Sequence, residues 1–161
     1  MARTEKEMVY RRATIADVPA LVDCRVRFLN ELYNHPENEE TKVIRKSLLA
    51  YFSKAIPSKD FVAWVAVLDG RIAGTSGMVV WEKPALYEVE SGKLGYLLNF
   101  YSVPDARGKG IATRLLNELI HEARSLGLKY LHLHASKDGE PIYKKAGFVE
   151  TEMPELKLRL E

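Results

Sequence analysis

Residues 102 to 116 read SVPDARGKGIATRLL, and within them Arg107, Gly108, Lys109 and Gly110 alternate two cations with two glycines. The nearly continuous apolar run LGYLLNFYSV stands before them and predicts a buried strand. After them Ile111, Leu115, Leu116, Leu119, Ile120 and Ala123 recur at helical spacing. A loop entering a helix at this point offers the first backbone N–H groups, at the positive end of the helix dipole, to an anion. Gly108 and Gly110 let the backbone approach that anion without a Cβ in the way, and Arg107 and Lys109 add positive charge. An isolated Arg-Gly-Lys-Gly reads equally well as a glycine turn with two solvated cations. Its place between a strand and a helix favours the anion site.

The elements that must position this loop can be read outward from it. Val9 to Arg12 predicts a first strand. TIADVPALVDCRVRFLNELYN follows, with Thr14 and Asp17 at capping-box spacing and apolar residues at Leu21, Val22, Val26, Leu29, Leu32 and Tyr33, a helical pattern. After the polar break HPENEE a second helix is expected from Val43 to Ala55, ended by Pro57 and Ser58. FVAWVAVLDGRIAGTSGMVVW reads as two strands joined by an Asp69-Gly70 hairpin turn. The helix after the loop should close at Gly127, and KYLHLHA is then a strand, GEPIYKKAGF a short helix closed by Gly147, and KLRL a last strand. The strand-helix-strand crossover must be parallel and the final pair can be antiparallel, so the whole reads as a mixed α/β sheet with no repeat.

Composition limits what such a sheet is for. A chain of 161 residues, 47% hydrophobic and 29% charged, suits one globular domain over residues 1–161. Its 24 basic and 22 acidic residues leave a net charge of +2, a slight excess and not a basic stripe, which gives no reason to expect nucleic acid. The start MARTEKEMVY is charged and has no apolar run, and nowhere do 18 uncharged apolar residues follow one another, so no membrane partner and a cytoplasmic location are expected. Cys24 is the only cysteine, which rules out an internal disulfide and leaves a Cys-based zinc site without its usual partners; no metal is expected.

Two familiar phosphate loops fail against these residues. A P-loop ends in Gly-Lys-Ser/Thr, but Gly110 follows Gly108-Lys109; a dinucleotide fingerprint needs a third glycine where Thr113 stands. The stretch resembles instead the pyrophosphate loop of the GNAT superfamily of acyl-CoA-dependent N-acetyltransferases, Gln/Arg-x-x-Gly-x-Gly/Ala, filled here by Arg107, Gly110 and Ala112. IYKKAGF resembles the family's tyrosine followed by a glycine-aromatic pair, and the element order is similar over nearly the whole chain. The resemblance implies a mostly antiparallel mixed sheet, with helices on both faces and a central parallel strand pair splayed for acyl-CoA. It implies acetyl-CoA as cosubstrate, its pyrophosphate held by Arg107, Gly108, Lys109, Gly110, Ile111, Ala112 and Thr113, and its pantetheine arm paired with Phe100, Tyr101 and Ser102. Ser136 stands seven residues before Tyr143, where many members carry a cofactor-contacting Asn, and the strand Leu94 to Ser102 holds no Glu to serve as base.

Acyl transfer from a thioester asks for a neutral amine, a donor for the negative charge that develops on the carbonyl oxygen, and a proton for the departing thiolate. By resemblance the donor is a backbone N–H near Phe100 or Tyr101, and Tyr143 is the proton donor, its alternative being a packed aromatic. For the base, His134, His132, Glu82, Asn99 through an ordered water, and no dedicated base are all open. Cys24 has no His placed to activate it and reads as core. The expected function is acetyl transfer to a small-molecule or peptide primary amine by direct attack in a ternary complex, the alternative being a non-catalytic acyl-CoA-binding or regulatory module. A nucleotide-binding structural protein is disfavoured by the missing third glycine. Glu31, Glu37, Glu39 and Glu40 could draw a cationic amine or simply be solvated, and a homodimer is compatible with the sequence.

Overall fold

The computed structural model describes residues 7–161; the charged stretch 1–6 lies outside the described residues. Asp69 and Gly70 sit at φ +52° and +72°, the two left-handed positions of a type I′ turn. They fold β2 (Phe61–Leu68) against β3 (Arg71–Glu82). β1 (Val9–Arg12) pairs with the outer edge of β2, β4 (Lys93–Ser102) with β3, and β5 (Leu131–His132) runs parallel to β4, so the sheet order is β1-β2-β3-β4-β5.

The strand alternation divides the molecule into two cores. On one face α1 (Val18–Tyr33) and α2 (Glu39–Ser58) bring Val18, Leu21, Val22, Phe52 and Ala55 onto Phe61, Ala63 and Val65. On the other, α3 (Ile111–Ser125) lays Ile111 and Leu115 on Ala66 and Ala73, and Leu116, Leu119 and Ala123 on Met78 and Leu97. Truncating one of these buried leucines to Ala costs about 2 to 5 kcal/mol, so the apolar stripe alone fixes how α3 is rotated on the sheet. Glu122, on the same helix and buried, accepts from Arg12 Nε at 2.8 Å and Trp64 Nε1 at 3.2 Å, tying β1 and β2 to α3. The short α4 (Glu140–Lys145) completes this face.

Five expectations change. α2 begins at Glu39, not Val43, because the side-chain carbonyl oxygen of its N-cap, Asn38, accepts from the N–H groups of Glu40 and Thr41. It also runs through Pro57, which falls in the last turn, where the Ser58 hydroxyl donates to the Ala55 carbonyl. The strand expected over 129–135 keeps ladder bonds only at Leu131–His132, because β4 turns away from it. Residues 157–160 form no strand: Leu158 and Leu160 are 81% and 88% exposed. The parallel pair β4–β5 therefore lies at the edge of the sheet instead of its centre. Among the described residues no helix is long and apolar enough to cross a membrane.

Candidate active site

The turning of β4 has a local cause. Gly77 of β3 faces Leu98, but Thr75 faces Tyr101, so Asn99 and Phe100 together oppose Ser76: a β-bulge, with Asn99 at φ +64°. An extra residue exchanges the two faces of the strand. Before the bulge Leu98 packs on the α1–α2 core and Leu97 on α3; after it Phe100 packs on the α3 side and the Tyr101 hydroxyl reaches Glu31 of α1. β5 follows β4 only at Gly95 and Tyr96, so beyond Tyr96 the outer edge of β4 has no ladder partner among the described residues. That edge can accept an extended ligand as an added strand.

The open edge leads into the Arg107–Gly110 loop. Gly108 and Gly110 sit at φ +74° and +75°, while a Cβ added to either would meet nothing within 4 Å, so it is backbone conformation and not crowding that requires glycine. Gly110 is the N-cap of α3 and gives it no side-chain cap, and the first turn holds no acid. The Arg114 N–H bonds the Gly110 carbonyl at 3.0 Å; the N–H groups of Ile111, Ala112 and Thr113 before it are left to an outside acceptor. These residues fit a pyrophosphate.

Arg107 does less for an anion than its charge suggests. Its Nε donates to the Ser102 carbonyl at 2.9 Å, and its Nη2 to both carboxylate oxygens of Glu31 at 2.8 and 3.0 Å. The Tyr101 hydroxyl donates to the same Glu31 carboxylate at 2.7 Å. Burial works against ionisation of Glu31, but the bonds from Tyr101 and Arg107 outweigh it and hold the carboxyl below its usual range; the Tyr101 hydroxyl is pushed up to about 12, by burial and by that carboxylate. Glu31, which the sequence left open between drawing a cationic amine and being solvated, pins the loop to α1. Its partner lies 76 residues away, beyond any spacing rule. Lys109 Nζ donates to the Asp105 carbonyl at 3.3 Å.

Tyr143, on α4, packs edge-on against Phe100, with ring centroids 5.6 Å apart, and against Phe148 at 6.0 Å. Burial pushes its hydroxyl up to about 12, so it stays protonated at neutral pH, and that hydroxyl has no protein partner among the described residues. Ser136 accepts from the Gly139 N–H at 3.2 Å and so shapes the turn into α4. His134 uses both ring nitrogens, one with the Tyr96 hydroxyl and one with Glu155. His132 points outward and Glu82 lies exposed at the end of β3. Asn99 is 3% exposed, and neither its side-chain oxygen nor its nitrogen has a partner among the described residues. Burial pushes the Cys24 thiol up to about 11 in the core, far from the state a nucleophile needs.

Comparison with known proteins bears on these features. The family model described as the acetyltransferase (GNAT) family matches residues 26–148. The crystal structure of a predicted acetyltransferase with acetyl-CoA from Clostridium acetobutylicum superposes with a TM-score of 0.87 at 35% identity, covering 96% of this chain and 97% of that one. A GCN5-related N-acetyltransferase from Ralstonia eutropha gives 0.83 at 23% identity over 94% and 99% of the two chains, and glucosamine-6-phosphate N-acetyltransferase from Arabidopsis thaliana 0.68 at 20% over 95% and 99%. The latter two show likeness of fold. No curated protein matches the chain by sequence.

Proposed function

The chain belongs to the acetyltransferase (GNAT) family, and from that premise we propose that it moves the acetyl group of acetyl-CoA directly to a primary amine in a ternary complex. The observation that carries this reading is the continuity of two backbone features: the unpaired edge of β4 beyond Tyr96 runs straight into the uncapped N-terminus of α3. An extended arm ending in a pyrophosphate suits that path, and the Clostridium acetobutylicum relative was crystallised with acetyl-CoA. When bound, acetyl-CoA supplies an activated acyl carbon and a thiol as leaving group. Phe100, Tyr101 and Ser102 orient the arm through their backbone, with an N–H near the bulge directed at the acyl oxygen. The loop from Arg107 to Thr113 holds the pyrophosphate through its N–H groups, while Arg107 itself keeps the loop against Glu31.

Tyr143 holds a proton at its Oη and delivers it to the leaving sulfur; its hydroxyl, raised to about 12, carries that proton at any physiological pH. Asn99 offers an unpaired acceptor and donor at the bulge, and acts through an ordered water that takes the proton of the amine. His134, with both nitrogens bonded, serves the amine less well than its position on the sequence suggests. The test is thiol release from acetyl-CoA against amines, amino acids, polyamines and amine-bearing peptides. Release with at least one acceptor supports the reading. CoA binding without release from any of them favours the non-catalytic module.

A further inference from the structure

Arg25 of α1 lies half-buried on the α1–α2 face, its guanidinium 5.4 Å from the centre of the Phe28 ring and within electrostatic reach of Tyr33 and Tyr96. It has no carboxylate partner among the described residues, in contrast to its neighbours: Asp23 is taken by Arg27 and Arg45, Glu31 by Arg107. Burial pulls its pKa below that of an ordinary arginine, as expected for a cation stripped of water and given no counter-charge. A guanidinium held in that state costs free energy unless an anion arrives.

The surroundings describe what could arrive. Tyr96 stacks on Trp81 with ring centroids 4.6 Å apart and planes 4° off parallel, and Lys83 Nζ sits 4.8 Å from the centre of the Trp81 ring. Lys83 too has no carboxylate partner among the described residues. Glu155, whose charge reaches Tyr96, is engaged by His134, and Glu82 lies exposed between Trp81 and Lys83 in the chain. The patch is thus an aromatic platform flanked by two uncompensated cations. Tyr96 precedes the bulge of β4 by three positions, about 10 Å along a strand, so the platform lies within one small molecule's length of the bulge.

We propose that Arg25 receives an anionic group of the acceptor, a carboxylate or a phosphate, while the body of the acceptor lies on the Trp81–Tyr96 stack with its amine directed along β4 toward the bulge. This rests on the transferase reading and specifies its substrate class: an amine carrying an acid function. Lys83 lends the same sign of field from the far side of the stack, which steers such molecules inward and disfavours polyamines.

The test is calorimetric titration of the CoA-bound protein with two matched pairs, L-phenylalanine against L-phenylalaninamide and O-phosphoethanolamine against ethanolamine. The member of at least one pair that bears the acid group should bind ten times more tightly or better than the partner that lacks it, and the pair that shows this identifies carboxylate or phosphate. In Arg25→Gln the preference should fall to within about twofold, with Arg25→Lys intermediate and CoA affinity unchanged in both, which certifies the fold. Equal binding within both pairs, no binding of any of the four, or a preference that survives Arg25→Gln would overturn the assignment. Failure of the protein to bind CoA, or to release thiol with any amine, would instead overturn the transferase reading.

Discussion

On the α3 side of the proposed site the groups available to a ligand belong to the backbone: the free edge of β4 and the first N–H groups of α3, set by a bulge at Asn99 and by left-handed glycines at 108 and 110. On the α1 side the proposed contacts belong to side chains drawn from separate elements: Arg25, Trp81 and Tyr96. A backbone site recognises what every cosubstrate molecule shares, an extended arm and a pyrophosphate. A side-chain site recognises what differs between acceptors. One half can therefore be common to a family while the other is particular to this chain. Tyr143 stands on the α3 side, packed on Phe100.

Substitutions should separate the halves. The largest effect belongs to Tyr143→Phe, which keeps the ring and its packing but removes the proton: kcat and kcat/KM should fall together by about tenfold to a thousandfold with CoA affinity nearly constant. Steady-state kinetics with the best amine checks this, and because the hydroxyl titrates at about 12 the deficit should be constant across neutral pH. Gly110→Val comes next. A β-branched residue at φ +75° strains the backbone by about 1 to 3 kcal/mol and puts a side chain where the pyrophosphate must approach. CoA affinity measured by calorimetry should drop tenfold or more in a folded protein, and an unchanged affinity would remove the phosphate-loop assignment.

Glu31→Gln probes the seam between the halves. Its ion pair with Arg107 is half-exposed, with side chains 47% and 49% accessible, so the loss is about 0.2 to 1 kcal/mol, read as a severalfold weaker CoA affinity. Because the folded carboxyl titrates below its unfolded value of about 4.3, this contribution is fully present above that pH and is lost as pH falls through the lowered value. Wild-type CoA affinity should accordingly be flat from neutral pH to about 5, and Glu31→Gln should show no added acid sensitivity of its own. The smallest effect is expected for Cys24→Ala, which trims a buried side chain on α1: turnover should be kept and thermal unfolding should shift down by a few degrees.

The difference between the halves also explains what could be read in advance. The hairpin at Asp69-Gly70, the helical stripe of α3 and the Arg107–Ala112 loop are written in adjacent residues, and local chemistry placed them correctly. The bulge carries no local mark: Asn99 looks like one more residue of a buried strand, yet it exchanges the faces of β4 and frees its edge. Glu31 and Arg107 meet across 76 positions, and the Trp81–Tyr96–His134 cluster joins three strand ends, so no period in the sequence could bring them together. KLRL failed as a strand for a related reason. Its alternation fits an edge, but a strand needs a partner whose own course was set elsewhere, by the turning of β4.

The most direct test of the account is mass spectrometry on a reaction of the wild-type protein with acetyl-CoA and its best amine, following acceptor and intact protein together. Direct transfer predicts that the acceptor gains one acetyl group for each thiol released, that the protein mass never changes, and that omitting the amine stops thiol release. A protein that gains an acetyl group from acetyl-CoA alone and passes it to the amine, and loses this ability in Cys24→Ala, would contradict it.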